Sequence, residues 1–71
     1  MRLTKQRTDT IRSIYATLKK RKPNQPQRER EIETCAIFNM TLGLEADLHD
    51  IGDVITAILL QELIDQKRNY A

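Results

Sequence analysis

Both prolines of this chain fall within four residues, Pro23-Asn24-Gln25-Pro26, and nothing else in the sequence interrupts local structure as firmly. Proline lacks a backbone N–H and pushes the residue before it away from the helical region, so a helix has to end near Arg21 or Lys22. Proline is tolerated in the first turn of a helix, so the next helix begins at about Pro26 or Gln27. The two glycines, Gly43 and Gly52, are weaker breaks. No segment alternates apolar and polar residues as a half-buried strand would. The chain therefore reads as all-α, a small three-helix domain with helices over about 4–22, 27–42 and 45–67.

The first helix places Ile11, Ile14, Tyr15 and Leu18 at helical spacing, with Leu3 near the same line and Thr4 as a candidate N-cap. This stripe is narrow and suits packing on one neighbour. The second helix opens on Glu29, Glu31 and Glu33, where negative charge complements the helix dipole. Its second half is apolar nearly all round: Ile32, Cys35, Ala36 and Met40 on one side, Ile37 and Phe38 on others, Leu42 between. A helix apolar on every side is expected to be buried on every side, so this one is the expected central element, with Gly43 just past its end. In the third helix Leu44, Leu48, Ile51, Ile55 and Ile58 keep alternating spacings of four and three across Gly52. That favours one continuous helix with room for a kink at Gly52, the alternative being a short helix over 45–51, a break at Gly52 and a new helix capped by Asp53.

At 71 residues the chain is one domain, residues 1–71, near the size at which folding buries only about 60% of the unfolded surface. Association is the ordinary remedy for so thin a core. The third helix suggests where it occurs. Val54, Ile55, Ile58, Leu59 and Leu63 share an arc with Ile51, while Leu60 and Ile64 lie beyond it. Two neighbours within one copy would not cover so wide an arc, and a homodimer packed through the second and third helices is expected. Phe38, Ile51, Ile55, Leu59, Leu60 and Ile64 are the residues expected at a dimer or partner interface.

Charge divides the chain. Residues 1–22 hold eight cations against one anion, a basic helix at +7, while residues 27–71 form an acidic helical hairpin beyond the 23–26 turn. Residues 23–71 together hold four cations and nine anions, or −5. Such asymmetry points to nucleic acid or an acidic partner. The residues expected to make that contact are Arg2, Lys5, Arg12, Lys19, Lys20, Arg21 and Lys22, with Lys5, Arg12 and Lys19 recurring every seven residues along one face. The last four also offset the negative end of the helix dipole, and the basic helix has the acidic third helix of its own chain to pack on. Single-strand stacking has no support, because the only aromatic among these cations, Tyr15, lies on the apolar stripe.

Catalytic equipment is missing from the pattern. Glu45, His49 and Asp53 would form a row on a helix, but without a second His or Cys to complete a metal site. The stretch also lacks the spacing of an EF-hand. Cys35, the only cysteine, sits among apolar neighbours and reads as a small hydrophobe. The two glycines build no phosphate loop, and acids at 45, 47, 50 and 53 argue against a recognition helix for DNA. No catalytic residue, cofactor, metal or small-molecule substrate is expected. The longest apolar run, residues 55–60, is too short to span a bilayer, and the single cysteine fits a reducing cytoplasm. Two functions remain: a small non-enzymatic regulator, adaptor or inhibitor that binds a macromolecular partner through helical surfaces, or a dimeric DNA-binding transcriptional regulator that meets phosphates through its basic helix.

Overall fold

The computed structural model describes residues 3–69 and is all-helical over that range, with no strand among the described residues. Its elements are α1 (Lys5–Arg21), α2 (Gln27–Leu42) and α3 (Leu48–Asn69), each packed on the other two. The shortest dimension is 17 Å. With only three helices around one core, each helix keeps a side toward solvent.

The caps explain the boundaries. Thr4 adopts an extended backbone, and its hydroxyl accepts from the Arg7 N–H at 3.3 Å, which starts α1. Gly43 ends α2 in the left-handed region at φ 64°, where a side chain would be strained. The third helix begins at Leu48 and not at 45. Asp47 caps it, its carboxylate accepting from the Asp50 N–H at 2.9 Å. The residues before Asp47 are held off the helix by Asn39, whose side-chain amide donates to the Ala46 carbonyl and accepts from the Ala46 N–H, both at 2.9 Å. Beyond its start α3 runs as one helix through Gly52 to Asn69.

The core comprises Ile11 and Tyr15 of α1, Phe38 of α2, Ala46 of the loop, and Ile51, Val54, Ile55 and Ile58 of α3. The expectation that α2 is buried on every side is overturned. Only Arg30, Thr34 and Phe38 are buried, while Ile32, Ala36 and Met40 form a solvent-facing line, Met40 being 85% exposed. In so thin a molecule α2 has neighbours on two flanks and water on its back.

The turn between α1 and α2 is built around Arg30, which is 6% exposed. Its Nη2 donates to the carbonyls of Lys22 (3.0 Å), Gln25 (3.3 Å) and Pro23 (3.4 Å), and its guanidinium lies 5.8 Å from the centre of the Tyr15 ring. Gln27 Oε1 accepts from both Arg30 Nη1 and the Tyr15 hydroxyl, each at 3.2 Å. One cation thus meets carbonyls at the end of α1 and secures the buried phenol beside it.

Arg30→Lys keeps the charge and loses the planar fork, so it should lower unfolding stability by about 2 kcal/mol in urea titrations, with Arg30→Met no better. Gly52→Ala should do the opposite. A Cβ there meets nothing nearer than Glu31 Oε1 at 3.7 Å, and a glycine inside a helix costs roughly 0.5–1 kcal/mol, which the variant should recover in the same assay.

Candidate interaction surface

The helices sort the expected contact residues into three groups. Phe38, Ile51 and Ile55 are completely buried inside the single copy, so they shape the surface from beneath and do not form part of it. Leu59, Leu60 and Ile64 are exposed on α3, together with Leu63, whose place on the exposed side the apolar arc alone did not reveal. Leu60, Leu63 and Ile64 stand 57%, 55% and 48% exposed. Every buried residue of α3 precedes Leu59. The first half of the helix closes the core, and its second half carries apolar side chains that the described elements of this chain leave partly exposed.

The cations form the third group. Arg2 lies outside the described residues. Lys5, Arg12, Lys19, Lys20, Arg21 and Lys22 are all exposed, five of them on α1 and Lys22 at its C-cap. Two are engaged by acids of the same chain: Lys19 Nζ with Glu62 at 3.2 Å, and Lys22 Nζ with Glu33 at 2.8 Å. Glu33 also accepts from Gln25 Nε2 at 3.2 Å. The hydrogen bonds from Lys22 and Gln25 hold its carboxyl below the ordinary range. Both pairs are open to solvent and contribute little to stability. Their effect is to take two cations out of the outward field of α1, leaving Lys5, Arg12, Lys20 and Arg21 as the expected contact cations that pair with no acid among the described residues.

Between α1 and α3 runs a groove of about 410 Å³, floored by Tyr15, Ala16 and Ile58. Arg12, Lys19 and Lys20 stand along one wall and Glu62 and Asp65 along the other. Walls of opposite sign satisfy each other, as Lys19 and Glu62 do across it, so the groove presents no single charge to a ligand.

The row of Glu45, His49 and Asp53 does not form, because Glu45 precedes the start of α3. His49 Nε2 lies 3.8 Å from Asp53, and both are exposed. Among the described residues no group of three or more His, Cys, Asp or Glu is arranged to hold a metal ion. Cys35 is half-buried and donates to the Ala46 carbonyl at 3.5 Å. Burial, together with the charges of Asp47 and Asp50, pushes its thiol pKa up, away from a reactive thiolate. Among the described residues no helix is long and apolar enough to cross a membrane.

Arg30 is the structurally decisive side chain that the sequence pattern did not single out. Within the alternating charges of residues 28–31 it resembles any solvated cation.

No protein-family model, no curated protein and no solved structure matches this chain.

Proposed function

We propose that this chain is a small non-enzymatic regulator, adaptor or inhibitor that acts by associating through helical surfaces, with itself and with a macromolecular partner. The observation that carries this reading is the cluster of Leu59, Leu60, Leu63 and Ile64 on the uncovered half of α3. Scattered exposed leucines are normal on any surface, but four large apolar side chains gathered within six residues of one helix make a patch that association would cover. Ile32 and Met40 on the outer side of α2 add to the exposed apolar surface. Phe38, Ile51 and Ile55 act in this reading by fixing the pose of α2 and α3, since they belong to the core.

A second reading has its own observation. Lys5, Arg12, Lys20 and Arg21 are exposed along α1 and pair with no acid among the described residues, and cations of that kind meet phosphates in a DNA-binding regulator. Against it, Lys19 is drawn to Glu62, and acids line the facing wall of the groove.

The association reading predicts that Leu60→Asp or Ile64→Asp lowers self-association by tenfold or more in light scattering and abolishes capture of a partner, with the helical signal unchanged. If both changes are harmless to every association the protein makes, the reading fails. The DNA reading predicts retention of a random duplex at low salt. Each phosphate neutralised should contribute about 0.9 to the steepness of the fall with log salt, and the combined change of Lys5, Arg12, Lys20 and Arg21 to Ala should remove retention. Absence of retention by the intact protein at low salt eliminates that reading.

A further inference from the structure

On α3, Asp53, Leu60 and Lys67 recur every seven residues, and Thr56 and Leu63 occupy the intervening position of the same seam. Ala57 and Ile64 flank it. At roughly 100° per residue these positions share one arc of roughly 120°, centred nearly opposite the buried face of Ile51, Ile55 and Ile58. Every one of them is exposed. The seam therefore runs along the whole back of the helix, from its first turns to its last.

The order of side chains along this seam is complementary to its own reverse. Counting outward from Leu60, Ala57 is balanced by Leu63, Thr56 by Ile64, and Asp53 by Lys67. Small residues on the N-terminal side thus match large ones on the C-terminal side, and an acid matches a base at equal distance. An antiparallel pairing of two such helices sets small against large in each layer and closes both ends with opposite charges. Parallel pairing would set Asp53 against Asp53 and Lys67 against Lys67, and would oppose the two large layers to themselves. Helix dipoles also favour the antiparallel arrangement.

We propose that two copies of this chain pair their α3 helices antiparallel, with the two-fold axis at Leu60, so that Asp53 of each copy faces Lys67 of the other. The proposal rests on the association reading above and names the second copy as the occupant of the exposed face. It accounts for the whole seam, including Thr56 and Ala57, whose small size leaves room for Ile64 and Leu63 of the opposite helix.

The test is a charge exchange read by sedimentation equilibrium at low ionic strength. Asp53→Lys alone and Lys67→Asp alone each replace two attractive contacts by two repulsive ones, and each should raise the dimer dissociation constant roughly tenfold. The double variant restores both contacts with reversed sign and should return to within about threefold of the wild type. A nitroxide at position 49, introduced as His49→Cys with Cys35→Ser, gives the orientation directly. Two labels should lie about 33 Å apart in the antiparallel pair, against about 10 Å in a parallel one. Single variants without effect, a double variant no better than the singles, or a distance near 10 Å overturns the antiparallel pairing. If Leu60→Asp still disrupts the dimer in that case, the association reading stands without it. A wild type that stays monomeric at high micromolar concentration overturns the proposal. Whether Leu60→Asp then abolishes capture of another macromolecule decides the association reading separately.

Discussion

The fold depends on where the first helix is allowed to stop. Proline ends α1, and the carbonyls of the turn that follows, those of Lys22, Pro23 and Gln25, point toward one guanidinium, that of Arg30. A buried cation would be costly alone. Three carbonyls, the Gln27 amide oxygen and the face of Tyr15 surround this one. Because Arg30 lies within the first turns of α2, its Nη1 and Nη2 contacts also fix how α2 leaves the turn. Tyr15 then sits at 1% exposure between Arg30 and the apolar core, so the packing of α1 depends on the same contact.

Much of this was legible in the sequence, and what was missed has a consistent cause. The bounds of α1 and α2 follow from Thr4, the two prolines and Gly43, each of which acts on its own backbone. The start of α3 does not, because Leu44 lies on the periodic apolar line and the same spacing continues backward beyond the real cap. What decides it is the pairing of Asn39 with Ala46, seven residues apart and across a turn. Arg30 was hidden for a related reason. A cation in an alternating run has no local sign of burial, and its carbonyl partners are backbone groups that carry no residue code. The apolar second half of α2 misled in the other direction, since composition does not say how many neighbours a helix will have. With three helices in a body 17 Å thin, Ile32, Ala36 and Met40 are left on the outside.

The same geometry sorts the candidate interaction residues. Five of the six residues expected at an interface lie on the third helix, whose apolar arc is too wide for two neighbours, and that arc divides into two populations by position along the helix. Up to Ile58 the apolar side chains of Ile51, Val54, Ile55 and Ile58 are buried in the core. From Leu59 onward the apolar side chains are exposed. An arc drawn around a helix axis merges these two stretches, whereas packing separates them along its length. The cations divide likewise, for Lys19 and Lys22 face acids brought near them only by the fold, 43 and 11 residues away in the chain.

A 71-residue chain with three helices has one core, and α3 is longer than the core it covers. At about 1.5 Å per residue its 22 residues extend some 33 Å, while its buried contacts end at Ile58, after the first half. Truncation at that point would cost the core little, yet the sequence beyond it remains strongly helical in pattern and regularly apolar. Glu62, Asp65, Lys67 and Arg68 interrupt it with charges of both signs. Those charges limit indiscriminate hydrophobic association, because any surface that covers the leucines must also accommodate ions at defined intervals along the helix. Tied to α1 by the exposed Lys19–Glu62 pair but contributing no buried residue among those described, this helix end is, under the proposed association, the part of the molecule on which selection by a partner would act.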